Sequence, residues 1–368
     1  MTIQDKRRKA AALLKEKGAM LAEFPALVGF DGFVDEIIRV VDKRSSTESY
    51  STMSQMSAFA ERIHKAAGKS TNIELIVQET KLGGNGPIMA NALSRLSVPV
   101  TYIGCLGFPN LHPVFRDFST NAQVYSISEP GSTDALEFDD GKIMLGKHNA
   151  LRDVTYENII ARIGAETFQK IWDASRFLGI VNWTMLVRMT DIWKRLLSVH
   201  CGNVDRSENR VVFFDLADPE KRDFDDIAEC LTVISKFSRQ YKVILGCNEK
   251  ESLELAKVLE INVQDLETRA ALMREKLAID LCVIHPVKFA VAASASETAH
   301  VDGRFVESPK ISTGAGDHFN AGFCIAELLD GDLESALLTG VSTSGFYVRN
   351  AASPTLQDLA VFLNEWKD

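Results

Sequence analysis

Ser312-Thr313-Gly314-Ala315-Gly316-Asp317-His318-Phe319-Asn320 is the stretch from which the chain is best read. Apolar positions Phe319, Phe323, Ala326 and Leu329 follow at helical spacing, so the glycines stand where a helix begins. Small residues there let backbone N–H groups turn toward one point, and the helix dipole adds partial positive charge. Together they favour phosphate oxygens or a developing anion. Asp317, at the same turn, is placed to take a proton from an attacking hydroxyl. The dipole is expected to lower its pKa, so its expected task is to orient the hydroxyl and accept the proton late. The same residues also fit an ordinary helix start, because Gly is common in turns and Asp is a good cap.

Outward from this stretch, strand-like apolar runs alternate with helical patterns, the sequence sign of βαβ units and a parallel sheet. Core strands are predicted at Ala26–Phe30, 101–105, Phe177–Val181, 211–216, Lys242–Cys247 and Leu281–Ile284. Helices are predicted over 88–96, 159–172, 190–200, Phe224–Phe237, Glu249–Val258, 317–329 and 333–348, with an amphipathic stretch ending near Lys17. Two segments break the rhythm. Residues 36–41 and 123–145, the latter with a hairpin signal at Asp139-Asp140-Gly141, are read as a small separate sheet covering a site. Decoration of the main sheet is the alternative. The expected organisation is a helical extension over 1–25 and one α/β domain over 26–368, with lid strands within about 33–50 and 121–147.

Three further motifs lie where predicted strands end. Lys81-Leu82-Gly83-Gly84-Asn85-Gly86-Pro87 opens a helix; its glycines allow close backbone approach to a ligand, and Asn85 can both donate and accept hydrogen bonds. A plain strand-to-helix turn fits it too. Asn248-Glu249-Lys250-Glu251 places Asn248 and Glu251 on one side of a helix start, at the sheet edge where α/β proteins bind ligands. There they suit the waters of a phosphate-bound Mg²⁺, and equally they match a capping pattern. Gly29-Phe30-Asp31-Gly32-Phe33-Val34-Asp35 offers two carboxylates to a polyhydroxylated substrate, although Asp-Gly is also a common turn pair. Asp35 leads straight into the lid strand and is preferred over Asp31 as the hydroxyl binder.

Composition narrows the classes. With 46% hydrophobic and 25% charged residues the chain is globular, and its formal net charge of -9 argues against nucleic acid and anionic membrane as partners. No apolar run reaches the roughly 18 residues of a membrane span, and no signal-peptide core is seen, so a cytoplasmic location is expected. The six cysteines lack any C-x-x-C pair and read as reduced core residues.

In order, an Asp after the first strand, a Gly-Gly before a helix, an Asn-x-x-Glu after a later strand and a Gly-Ala-Gly-Asp near the end make the chain resemble the ribokinase-like, or PfkB, carbohydrate kinases. The resemblance runs from about residue 26 to 362. It implies a ribokinase-like three-layer α/β sandwich, with a central mainly parallel sheet flanked by helices and a small β-sheet lid. It also implies transfer of the γ-phosphate of ATP, with Mg²⁺, to a hydroxyl of a sugar or sugar-like small molecule. Asp317 would be the catalytic base and Gly314, Ala315 and Gly316 the anion hole. Asn248, Glu251 and Thr313 would serve nucleotide, phosphate and Mg²⁺. Gly83, Gly84, Asn85 and Asp31 or Asp35 would contact substrate. Exposed strand edges on such a lid offer a surface for a homodimer.

Some positions depart from the family pattern. Ile311 and Ser312 stand where Asp-Thr is usual, Ile88 where a substrate-binding Asn often falls, His285-Pro286-Val287 where a Thr-x-Gly is usual, and Pro109 where an Asp is expected. Many members bind a monovalent cation using the Asp now replaced by Ile311, so little dependence on K⁺ is expected, with packing around Ile311 shaping the anion hole. A sugar- or nucleotide-binding sensor without turnover is the alternative reading, disfavoured by the intact Asp317. A nicotinamide enzyme is weaker, since no G-x-G-x-x-G opens a helix after a strand.

Overall fold

The computed structural model describes residues 2–202 and 205–366. Among them, nine strands form the main sheet, with β1 (Ala26–Phe30) near one side. On one flank of β1 lie β5 (Val100–Gly104) and β6 (Gln123–Ser126). On the other follow β9 (Phe177–Val181), β10 (Val211–Asp215), β11 (Lys242–Cys247), β12 (Leu281–Ile284), β13 (Phe289–Ala293) and β14 (Thr298–Asp302). Strands β6 through β12 in this order pair in parallel; β13 and β14 add an antiparallel edge.

Burial on both faces explains the continuous apolar runs. Every residue of β1, β9 and β10 is buried. In β10 the adjacent Phe213 and Phe214 point to opposite faces, Phe214 into the cluster around Trp172 and Trp193, Phe213 into the cluster around Tyr102, Phe319 and Phe323. All six cysteines are free and buried, and no described helix is long and apolar enough to cross a membrane.

The second sheet centres on β2 (Phe33–Arg44), which pairs antiparallel with β4 (Leu75–Gly83) and parallel with β7 (Gly131–Phe138). The hairpin partner β8 (Gly141–Lys147) and the short β3 (Tyr50–Thr52) complete it. The hairpin turns at Asp139-Asp140, with Phe138 opposite Gly141.

Several expectations need correction. Gln123–Ser126 belongs to the edge of the main sheet, beside β5, and not to the lid. Strand β4 was not expected; it is half open to solvent on both faces and carries no clean alternation. Strands β13 and β14 were likewise missed. The helix expected over 159–172 is two, Tyr156–Ile163 and Ala165–Ala174, separated at Gly164. The front helix Ile3–Lys17 packs on Leu356–Glu365, where the buried Arg7 lies 4.3 Å over the Trp366 ring and donates to its carbonyl at 3.0 Å. No packing boundary falls at residue 25, because Leu14 and Leu21 share a core cluster with Leu93 and Leu363.

Candidate active site

The chain leaves β1 on one side of the sheet and returns to β9 on the other, so the strand order reverses at β1. Open α/β sheets hold ligands outside the carboxyl ends of their strands at such a point. A cavity of about 430 Å³ lies there, lined by Asp35, Gly84, Asn85, Thr133, Asn182, Asp215, Asn248, Glu251, His285, Gly314, Gly316 and Asp317, among others.

Asp317 sits in the first turn of the helix Ala315–Leu328, buried, and accepts from Asn85 Nδ2 at 3.0 Å. Burial and then the neighbouring carboxylates Asp215, Asp31 and Glu251 hold its carboxyl well above the usual carboxylate range, with the Asn85 hydrogen bond opposing them. This reverses the expectation from the helix dipole. Desolvation and like charges outweigh the partial charge of a helix end, and a carboxylate in this setting is a better proton acceptor.

The turn before Asp317 depends on Gly314, whose φ of 86° is left-handed and unsuited to other residues. Among the described residues the N–H groups of Gly316 and Asp317 have no protein acceptor. That of Ala315 is directed to Ser312 O at 3.2 Å, so Ala315 is less free for an anion than expected. Thr313 is turned away from the cavity, its hydroxyl accepting from the lid's Lys142 Nζ at 2.6 Å. Ile311 is only half-buried and belongs to no core cluster, so packing around it does not hold the turn.

The two early carboxylates have separate fates. Asp31 is fully buried and does not line the cavity. Its carboxylate accepts from Gly86 N at 2.9 Å and Asn182 Nδ2 at 2.6 Å, and the Tyr102 hydroxyl donates to its main-chain carbonyl at 2.7 Å with the carboxylate 3.2 Å away, so Asp31 pins the start of the helix Asn85–Arg95. Burial raises it to about 6. Its carboxylate oxygens are engaged by the protein and it stands outside the cavity lining, unlike the expected substrate contact. Asp35 does line the cavity, opposite Thr133 in the lid register, and burial raises its pKa against the Thr133 hydrogen bond and the Lys142 charge. Gly83 lies beneath it, where a Cβ would overlap the Asp35 carboxylate. Gly84 and Asn85 both face the cavity.

Asn248 and Glu251 form a reciprocal helix cap, Asn248 Oδ1 accepting from Glu251 N at 3.0 Å and Glu251 Oε2 from Asn248 N at 2.8 Å. Glu251 Oε1 also accepts from Asp218 N at 2.9 Å. Capping and cavity lining, set out as alternatives from the sequence, are here the same residues.

Two site residues escaped the sequence reading. Asp215 ends β10, faces the cavity and is raised to about 7 by burial and then Glu251; it accepts from Ala217 N at 2.9 Å and Asn320 Nδ2 at 2.8 Å. A carboxylate closing an apolar strand was its only signal. Asn182, just after β9, has a left-handed φ of 61° and a buried Oδ1 with no partner.

A second, more apolar pocket of about 340 Å³ adjoins the first, lined by Pro286, Val287, Phe289, Phe305, Val306 and Val341, and shares Asn248, His285 and Gly316 with it.

The model of the prokaryotic ketohexokinase family matches residues 4–366. A ketohexokinase from Haloferax volcanii is 27% identical over 344 residues, 93% of this chain and 91% of that one. The fold is similar to a putative ribokinase II from E. coli in complex with ATP and Mg²⁺ (TM-score 0.62, 16% identity, 94% of this chain and 99% of that one). It is also similar to Arabidopsis thaliana ribokinase complexed with ribose and ATP (TM-score 0.61, 14% identity, 94% and 99%). The matched span takes in the front helix, the lid and the Gly314–Asp317 turn together, and the chain belongs to the prokaryotic ketohexokinase family, ATP-dependent carbohydrate kinases on a ribokinase-like fold.

Proposed function

We propose that this kinase phosphorylates a ketohexose, with Asp317 taking the proton of the attacking hydroxyl. The observation that carries the reading is the meeting of two pockets at Gly316, beside Asp317. The polar one, roofed by the lid, offers Asp35, Asn85 and Asn182 to hydroxyl groups, and the buried acceptor Asn182 Oδ1 still lacks a donor. The apolar one suits a nucleotide base. The phosphoryl group then lies at the shared wall, where the hydroxyl oxygen forms the new bond to phosphorus, the bond to the ADP oxygen breaks, and the proton passes to Asp317.

Asp215 and Glu251 fit a Mg²⁺ site: they are hard oxygen donors lining the cavity, both raised in pKa by burial, with the Glu251 charge adding to the rise at Asp215. Among the described residues no three acidic, His or Cys side chains cage a metal by themselves, so phosphate and water would complete its shell. When bound, Mg²⁺ neutralises phosphate charge; the protein's own part is to position the hydroxyl, exclude water and receive the proton. Homodimerisation through the lid fits the exposed Leu75 and Val77 on β4 and Leu145 on β8. Six reduced cysteines fit a cytoplasmic location.

ADP release with Mg-ATP against ketohexoses, aldohexoses, sugar acids, nucleosides and sugar phosphates tests the reading. The highest kcat/KM is expected for a ketohexose. Another preferred acceptor would replace the substrate assignment, and binding without turnover across the panel would favour a sensor.

A further inference from the structure

The carbonyl side of the phosphate-binding turn is held by side chains outside the cavity. Gly314 O accepts from His318 Nδ1 at 2.7 Å, beside the helix bond from His318 N at 3.1 Å, and His318 Nε2 meets Ser353 Oγ at 2.8 Å. A carbonyl can only accept, so Nδ1 carries the hydrogen and Nε2 accepts from the Ser353 hydroxyl, which in turn accepts from Asn91 Nδ2 at 3.2 Å. The buried imidazole stacks on Tyr347, with ring centroids 3.6 Å apart and planes 14° from parallel. The Tyr347 hydroxyl donates to Thr313 O at 3.0 Å. Burial pushes His318 down to about 4, which keeps it in this neutral form at ordinary pH.

In a planar trans peptide the C=O and the following N–H point in opposite directions. Holding Thr313 O therefore aims the Gly314 N–H, and holding Gly314 O aims the Ala315 N–H. Both peptide units flank a left-handed glycine, which by itself restrains them least. We propose that His318 and Tyr347 are positioning residues: as a stacked pair they hold the Thr313 and Gly314 carbonyls and so fix the left-handed turn, aiming the Gly314 N–H and setting the point from which the free Gly316 and Asp317 N–H groups meet the phosphoryl group. The proposal rests on the kinase reading for its kinetic consequence, and on geometry alone for its structural one.

Three variants test it. His318→Phe keeps a ring against Tyr347 and removes the donor; His318→Asn restores a donor near the position of Nδ1; Tyr347→Phe removes only the hydroxyl. For His318→Phe, kcat with Mg-ATP and the best ketohexose is expected to fall about 10- to 100-fold, less than or near the loss of a whole oxyanion donor, with both KM values within about threefold. His318→Asn should recover most of the loss, and Tyr347→Phe should show a smaller fall of the same kind. Deuterium uptake by the peptide spanning 312–318 should rise in His318→Phe at unchanged Tm, a readout that needs no substrate. Wild-type inactivity on every ketohexose would count against the substrate assignment only, since uptake still reads the clamp. Unchanged uptake, an asparagine variant no better than phenylalanine, or losses confined to KM would overturn the proposal. If His318→Phe does not fold, Tyr347→Phe decides: unchanged kcat and uptake there would equally overturn it.

Discussion

Asn85 Nδ2 donates to Asp317 Oδ1 across 3.0 Å, joining the turn that opens one helix to the first turn of another 232 residues later. The hydrogen bond favours the ionised carboxyl against burial and the charges of Asp215, Asp31 and Glu251. Replacing Asn85 with Ala removes the hydrogen bond that opposes the rise of the Asp317 pKa. The acidic limb of the kcat–pH profile is expected to move to higher pH, because Asp317 must be ionised to accept a proton. An unmoved limb would show that Asn85 acts on substrate alone.

Asp317→Asn should leave folding and Mg-ATP binding largely intact and lower turnover by about 10²- to 10⁴-fold, the usual contribution of a positioned acid or base. Calorimetric ATP binding beside steady-state rates separates the two. Turnover within a few-fold of wild type would remove Asp317 from the mechanism.

Asp35 and Asp31 are expected to fail differently. Asp35→Ala should raise the acceptor KM at least about tenfold or abolish turnover, as a lost hydrogen bond to a charged group does. Asp31→Ala strands the Gly86 N–H and Asn182 Nδ2, while the Tyr102 hydroxyl keeps the residue 31 carbonyl, and should cost about 3 kcal/mol of stability. Denaturant unfolding and acceptor KM, measured on both, check the division. A stable Asp31→Ala with raised KM alone would reverse it.

Stability should fall as pH rises through neutrality in the absence of ligands. A carboxyl whose folded pKa exceeds the unfolded value of 3.8 stabilises fully below that value and loses its contribution as pH passes the folded pKa, about 6 for Asp31 and about 7 for Asp215. Tm is expected to drop by roughly 3 °C or more between pH 5.5 and 8. Asp215→Asn should flatten that slope, and Mg-ATP should restore Tm most at pH 8. A Tm that rises over this interval would contradict the charge cluster.

Activity is expected to depend little on K⁺. Ile311 offers no ligand where the family's carboxylate stands, and the nearby Thr313 and Gly314 carbonyls already accept from Tyr347 and His318. A hard cation needs several oxygen donors to replace its water. Turnover in potassium-free buffer, with a large organic cation keeping ionic strength constant, should stay within about twofold. Saturable, several-fold activation by K⁺ would show that the remaining carbonyls suffice.

What the chain determined locally was its elements and its phosphate-binding turn. Strands buried on both faces, such as β1, β9 and β10, are continuous apolar runs, and Gly314 before Asp317 marks a helix start, because these signals lie within a few adjacent residues. Tertiary structure alone decided the rest. Strand β4, exposed on both faces, has no periodicity to betray it, and Gln123–Ser126 reads as a lid strand until β5 supplies a partner. The step from Asp35 into the lid strand already favoured it over Asp31 in the sequence; what only packing decided is that Asn182 and Gly86 consume the Asp31 carboxylate. The direction of the Asp317 pKa shift was misread for the same reason. A helix dipole is visible in one segment, whereas desolvation and the Asp215, Asp31 and Glu251 charges arrive from strands and loops far apart in sequence, and at close range in a buried site they outweigh it.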